Sequence, residues 1–424
     1  MKTKNKTIVV YAHWKELPST TLMGWLSCSF VRGKEIFSFE YDASWIKSSF
    51  IQEIDPDLRL FSGRQYLPVD KSNFGLFLDS SPDRWGRLLM KRREAIMARI
   101  EGRDEETLTE SDFLLGVYDE HRMGGLRFKT DVAGPFLNDN KDFATPPWTS
   151  LNELEYACLK LEEDGFTTED PEYLKWVNML IIPGSSLGGA RPKASVVDNN
   201  GTLWIAKFPS LHDTEDVGAW EMVSNELARI AGINISEAKT QRFYSKQNTF
   251  LTKRFDRTPD GKRIHFASAM TMLGYSDGID FHDGVSYLEL VEFIIRRGGK
   301  VKSDLEELFK RIVFSICISN TDDHLRNHGF ILTPEGWILS PAYDINPNPY
   351  GTGLKLNISQ TDNSLNLDLA IEVAPYFRLD KQAAQMIIAK VVETVSGWRD
   401  VARKIGISQM EQNAMANAFR PSAT

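Results

Sequence analysis

A dense polar run, Asn320-Thr-Asp-Asp-His-Leu-Arg-Asn327, follows directly on an apolar stretch with helical periodicity. Asp322 and Asn327 stand five apart, as D-x-x-x-x-N, and Asp344 follows Asn327 by seventeen residues within Pro341-Ala-Tyr-Asp344. Phosphoryl transfer needs this kind of set. One carboxylate positions or deprotonates the incoming hydroxyl, while an amide and a second carboxylate hold Mg²⁺ against the phosphates. D-x-x-x-x-N is common by chance. The second aspartate at this distance makes the constellation informative.

The parts that would handle a nucleotide lie upstream. Ser185, Ser186, Leu187, Gly188, Gly189 and Ala190 form a small, flexible stretch whose backbone amides can approach phosphates. It is not a Walker A loop, because Ala190 stands where that motif needs lysine. Lys207, in Leu203-Trp-Ile-Ala-Lys207-Phe, shares a strand face with Leu203 and Ile205. A lysine there is costly unless it is paired or reaches water. Glu221, on the next helix, is the expected partner, the pairing by which kinases orient a phosphate-binding lysine.

Other chemistries compete for the same residues. Gly184-x-Ser186-x-Gly188 matches the nucleophile elbow of α/β-hydrolases, with Asp322 and His324 in the right chain order and 176–182 as the strand before it. That elbow requires a helix directly after the serine, whereas Gly-Gly-Ala-Arg-Pro follows. His324-x-x-x-His328 has helical metal-ligand spacing, but Leu325 occupies the position of the glutamate in HExxH. A catalytically inert binding module is the non-enzyme alternative, and intact Lys207, Asp322, Asn327 and Asp344 argue against it.

These residues need a scaffold, and the pattern supplies one. Residues 1–75 read as β-rich, with Ile8–Tyr11, Leu26–Val31 and Glu35–Tyr41 as short strands. Ser81-Pro82 then opens a helix with a basic face of Arg84, Arg87, Lys91, Arg92 and Arg93. The Pro-, Asn- and Asp-rich stretch 131–150 marks a boundary. A hairpin turns at Asp198-Asn-Asn-Gly201 between Ala194–Val197 and Leu203–Phe208. A helix over 216–231 carries Trp220, Val223, Leu227 and Ile230 on one stripe and stops at Gly232. A second hairpin spans 238–255. Beyond 258 the period is helical: 287–297, a helix opened by a capping box at Ser303-x-x-Glu306, then 380–404, and 408–418 opened by Ser408-x-x-Glu411.

Composition bounds the rest. The chain has 424 residues, 42% hydrophobic and 25% charged, which suits two or three globular units and excludes a disordered polymer. Fifty Lys and Arg against 58 Asp and Glu give a net charge of −8, so any contact with nucleic acid is local or runs through a partner. No apolar run is long enough for a membrane span or a signal peptide. Cys28, Cys158 and Cys317 are far apart, form no CxxC, and read as buried packing in a reducing cytoplasm.

Taken in order, Ser186-Leu-Gly-Gly-Ala-Arg-Pro-Lys193, Ile205-Ala-Lys207-Phe-Pro, Lys253-Arg-Phe-Asp-Arg257, Asn320–Asn327 and Ala342-Tyr-Asp344 strongly resemble the HipA family of bacterial toxin Ser/Thr kinases. Asp79-Ser-Ser-Pro-Asp-Arg-Trp-Gly86 and Asp112-Phe-Leu-Leu-Gly-Val-Tyr-Asp119 are similar to that family as well, so the resemblance runs from about residue 60 to 345. It implies an α+β, two-lobed kinase-like fold of the phosphatidylinositol-kinase-related branch. The N-terminal subdomain would be 1–140, the kinase N-lobe 141–257 and the helical C-lobe 258–424. It implies ATP and Mg²⁺ as cofactors, with Asp322 as catalytic base and Asn327 and Asp344 as metal ligands. Lys207 would bind phosphate with Glu221 beside it, and Lys253 and Phe255 would lie at the adenine hinge. His324 and Arg326 complete the nucleotide-binding set. Arg326 stands where members usually carry lysine, so charge is kept while a point-like ammonium becomes a planar fork. Ser186 matches the autophosphorylated serine of the phosphate loop. The implied partners are a protein substrate and a small helix-turn-helix antitoxin, with DNA met mainly through the antitoxin and locally through the 82–93 helix.

Overall fold

The computed structural model describes residues 5–48, 50, 52–68, 71–139, 146–163, 171–180 and 191–420. The chain divides into two compact units. The first comprises Met1–His212, Phe243–Ser245 and Lys253–Ala267, and the second Asp213–Arg242, Lys246–Thr252 and Ser268–Thr424.

The first unit opens with an antiparallel five-stranded sheet. Its spatial order is Arg64–Tyr66, Lys34–Tyr41, Thr21–Val31, Lys6–Ala12 and Leu126–Lys129. The three strands legible in the sequence are its centre, with Ile8 opposite Leu26 and Leu26 opposite Phe39. Gly24 is where two strands come too close for a side chain: a Cβ there would lie 2.2 Å from the Glu40 carbonyl oxygen. One sheet face buries Phe37 and Phe39. Phe39 packs on Phe77 at 5.6 Å and Phe77 on Phe128 at 6.0 Å, which fastens the Gly75–Asp79 helix to the sheet.

The next helix runs Arg84–Ile100, and its start differs from expectation. Asp83, not Ser81, is the N-cap, accepting from Gly86 N at 2.8 Å. Ser81 instead donates to Phe77 O at 2.8 Å and closes the preceding helix. The basic face is partly spoken for: Arg87 grips Glu110 at 2.6 and 2.7 Å, and Arg92 donates to Leu161 O. Helices Leu151–Glu162 and Pro171–Leu180 follow, then the hairpin of Lys193–Val197 and Leu203–Lys207. Its turn places Gly201 at φ 78°, and Asp198 accepts from the amides of Asn200 and Thr202.

In the second unit, the Val217–Ala231 helix is capped by Asp216 and ends at left-handed Gly232. Trp220, Val223 and Leu227 are buried, but Ile230, in the last turn before Gly232, is 47% exposed. The Val301–Ile318 helix is buried almost throughout its C-terminal half. It begins at Val301 with Lys300 in the cap position, so Ser303 lies inside the first turn and opens no capping box; its hydroxyl donates to Lys300 O. The last segments are Lys381–Ser396, Trp398–Ile405 and Gln409–Met415. Ser408 caps the last helix through Glu411 N at 3.2 Å. The Glu411 carboxylate does not complete the box. It accepts from Asp216 N at 2.8 Å and Trp220 Nε1 at 3.0 Å, tying the C-terminal helix to the start of the unit. Trp398 and Phe419 stack at 4.3 Å beside Trp220.

All three cysteines are buried and free. Among the described residues, no helix is long and apolar enough to cross a membrane.

Candidate active site

The polar run is launched by the end of the Val301–Ile318 helix. Ser319 takes a left-handed conformation at φ 51°, which reverses the chain, and its hydroxyl is fixed on Ala418 O at 2.8 Å. Asn320 N returns to Ser315 O at 2.9 Å. A tight loop follows in which the Asp322 carbonyl accepts twice, from His324 N at 2.9 Å and from Asn327 Nδ2 at 2.8 Å.

The adjacent aspartates face different surroundings. Asp323 is buried. It accepts from Tyr287 OH at 2.6 Å and Ser315 Oγ at 3.3 Å, and lies 2.9 Å from His328 Nε2. Burial pushes its carboxyl up, but His328 and these hydrogen bonds outweigh burial and hold it below the usual carboxylate range. Asp323 is therefore an ionised anchor. Asp322 reaches solvent. Its pKa is nevertheless raised, first by the protein mass packed around it and then by Asp344, against the opposing effect of His324 and Lys355.

Asp344 sits at φ 57°, rare for a residue with a side chain and typical of places where function fixes the backbone. It is held from both sides. Ala342 N donates to Asn234 O at 2.7 Å, and Asn346 N donates to Asn320 Oδ1 at 3.2 Å. Tyr343 OH donates to Arg326 O at 2.8 Å, so the Asp344 segment is clamped to the Asp322 loop. Asn346 Nδ2 lies 3.4 Å from Asp344 Oδ1.

Among the described residues, the buried polar atoms here without a hydrogen-bond partner include Asn327 Oδ1, Asn346 Oδ1 and His324 Nδ1. An unsatisfied buried acceptor costs about 1–3 kcal/mol and calls for an explanation. With the Asp344 carboxylate, the amide oxygens of Asn327 and Asn346 are hard donors of the kind Mg²⁺ takes. Among the described residues, no group of three His, Cys, Asp or Glu could hold a metal alone.

The second unit thus brings Asp322, His324, Arg326, Asn327 and Asp344 together. Glu221 belongs to the same unit, buried on the Val217–Ala231 helix. Lys207, Lys253 and Phe255 belong to the first unit, where Lys207 is 8% exposed at the end of its strand and Phe255 packs on Phe266. Ser185, Ser186, Leu187, Gly188, Gly189 and Ala190 lie outside the described residues. Lys193, just beyond that stretch, has its Nζ 2.8 Å from Asp83 Oδ2 in a buried pair. The hydrolase reading loses its preceding strand, because Pro171–Leu180 is helix. Sequence reasoning missed Asn346, Tyr287 and Lys355. Asn346, two residues after Asp344, was the one with a local signal; the other two reach the loop from distant segments.

These units give the chain an α+β kinase-like fold. A family model described as the HipA-like C-terminal domain matches residues 185–398. The chain belongs to the HipA family. The serine/threonine-protein kinase toxin HipA of Shewanella oneidensis is 25% identical over 228 residues, 47% of this chain and 52% of that protein. A putative kinase of Haemophilus influenzae is 26% identical over 234 residues, 51% of this chain and 62% of its own length. The chain thus spans about half the length of the curated relatives it matches. Among solved structures, that of HipA, HipB and operator DNA from Shewanella oneidensis MR-1 superposes with a TM-score of 0.62 at 18% identity, covering 98% of this chain and 95% of that one.

Proposed function

We propose that this protein is a Ser/Thr protein kinase that transfers the γ-phosphate of ATP to a protein hydroxyl. The observation that carries the reading is the Asn327 amide: its nitrogen is spent on the Asp322 carbonyl and its oxygen is buried with no hydrogen-bond partner among the described residues. Asp322 receives the proton of the attacking hydroxyl. The raised pKa makes it a better proton acceptor than an ordinary exposed aspartate. Asn327 and Asp344 hold Mg²⁺, which when bound neutralises charge on the phosphates. Lys207 and Arg326 supply cations toward the phosphates, with Glu221 as the expected partner of Lys207, and Lys253 and Phe255 line the adenine end. Ser186 is the proposed autophosphorylation site, in a loop of Ser185 to Ala190 that covers the phosphates. Phosphorylation adds roughly −1.5 to −2 charges, which would repel ATP from that loop.

The setting is a cytoplasmic toxin–antitoxin pair, with a small helix-turn-helix antitoxin as partner and DNA contacted mainly through it. The division into residues 1–140, 141–257 and 258–424 remains our proposal for the functional subdomains. Mass spectrometry of protein incubated with Mg-ATP tests the reading: phosphate should appear on Ser186 in wild type and not in Asp322→Asn. Unmodified wild-type protein after prolonged incubation would count against it.

A further inference from the structure

The stretch Lys253-Arg-Phe-Asp-Arg257 gives Lys253 and Phe255 to the proposed nucleotide site, and leaves Arg254, Asp256 and Arg257 without a part in it. Burial alternates along the stretch. Lys253 and Phe255 are half-buried, whereas Arg254 is 3% and Asp256 0% exposed. Alternate side chains thus meet different surroundings. Asp256 gathers the buried set. Its carboxylate accepts from Arg254 Nε at 2.8 Å and Nη2 at 2.7 Å, from Arg257 Nη1 at 2.5 Å and from Gly124 N at 3.0 Å. Burial pushes this carboxyl up, but the two guanidiniums and these bonds outweigh burial and hold it well below the usual carboxylate range.

The guanidiniums carry the connection further. Arg254 Nη1 donates to His121 O at 2.7 Å, and Arg257 Nη2 donates to Glu120 O at 2.8 Å and Arg122 O at 3.0 Å. Three successive carbonyls and the Gly124 amide are therefore bound by residues more than 130 positions away. Planar guanidinium forks satisfied in this way leave little freedom to the chain they tie. Gly124 sits at φ 73°, and a Cβ there would lie 3.2 Å from Phe266 N, so its turn presses on the Phe266–Ser268 strand. Phe266 packs on Phe255 at 5.7 Å. Two residues after Gly124, Leu126 begins an edge strand of the five-stranded sheet. The division of the chain follows the same line: Lys253–Ala267 belongs with Met1–His212, whereas Lys246–Thr252 does not.

We propose that Arg254, Asp256 and Arg257 are positioning residues that fix the base-binding end of the nucleotide site to residues 120–124. They act through the backbone that carries Lys253 and Phe255, and the proposal rests on the assignment of those two residues to the adenine hinge. The N-terminal segment is then part of what selects the nucleotide base.

Two variants of the full chain test this. Arg257→Met removes the bonds to Glu120 O and Arg122 O while Arg254 stays on Asp256. Gly124→Ala leaves all three positioning residues in place and strains the turn that receives them, because alanine rarely adopts that φ. One readout needs no nucleotide: hydrogen exchange at the Arg254 and Ile264 amides, which donate to Leu203 O and Asp256 O. The other is calorimetric affinity for ATP and for GTP. A uniform loss of stability lowers both affinities together, whereas a displaced hinge loses the distinction between the bases. Wild type should bind ATP more tightly than GTP. Each variant should exchange those amides at least tenfold faster and reduce the ATP-over-GTP preference at least fivefold. Gly124→Ala keeps the test open if Arg257→Met does not fold. Unchanged exchange in a folded variant would overturn the proposal. So would faster exchange with the preference intact, or a wild type without preference, since the cluster would then be scaffold alone. Wild type that binds neither nucleotide would refute the kinase reading itself, and this role with it, whatever the exchange data show.

Discussion

Asn327 and Asp322 are joined by one hydrogen bond, Nδ2 to the Asp322 carbonyl at 2.8 Å, and that bond decides how both act. It fixes the amide so that Oδ1, not Nδ2, is the unused group. It also fixes the backbone from which the Asp322 carboxylate projects. On the proposed reading, one contact separates the oxygen that would face the metal from the carboxylate that would accept the proton, within five residues of chain.

Asn327→Ala should cost little stability and much function. It removes one hydrogen bond, worth about 1 kcal/mol, but also the buried unpaired oxygen, so the two effects offset. Without magnesium the melting temperature should stay within a few degrees of wild type. The Mg²⁺-dependent part of ATP affinity, read by calorimetry with and without the metal, should fall at least tenfold. Equal magnesium dependence in variant and wild type would remove Asn327 from the metal site.

The Asp83–Lys193 pair offers a test of scaffold energetics. Both side chains are almost fully buried, at 2% and 3% exposure. Lys193→Met leaves a buried carboxylate uncompensated and should destabilise by about 3–5 kcal/mol. The double variant Asp83→Asn/Lys193→Met keeps an oxygen for the Gly86 N cap and removes the stranded charge. It should recover most of the loss in chemical denaturation. Additive losses would mean that the pair is not coupled.

Acid should weaken the first unit through His265. This ring is fully buried and stacked on Trp14 at 4.7 Å, and burial pulls its pKa down to about 3 from an ordinary 6.5. Between those values the unfolded chain binds a proton that the folded one does not. Stability is therefore complete above about 6.5 and is lost as pH falls toward 3, at about 1.4 kcal/mol per pH unit. His265→Gln should flatten that slope by about one proton in melts taken from pH 3.5 to 6.5. An unchanged slope would show that His265 is not held neutral.

Much of this was legible in residue pattern. The central strands, both hairpins and the Tyr287–Arg297 helix follow from period and turn residues, and the fold class and family follow from motifs in order. Helix starts were harder. Asp83 displaced Ser81 as a cap because Ser81 found a carbonyl one turn back, and Ser303 lost its box because the helix begins three residues earlier, with Lys300 in the cap position. Glu411 was claimed by a tryptophan 191 positions away, which no local window can see. Pattern alone named Asp322 through its spacing to Asn327. Why Asp323 cannot serve lies in Tyr287, Ser315 and His328, which only folding brings to it.

The central claim is tested most directly by phosphoryl transfer itself. Purified wild type, Asp322→Asn and Asp344→Asn should be incubated with Mg²⁺ and γ-labelled ATP, and incorporated label followed against time. Removing a general base typically costs about 10²–10⁴-fold, and losing a metal ligand should cost at least as much. The account predicts label on wild-type protein and a loss of at least a hundredfold in each variant, with both variants still folded by circular dichroism. Near-wild-type labelling in either variant would contradict it.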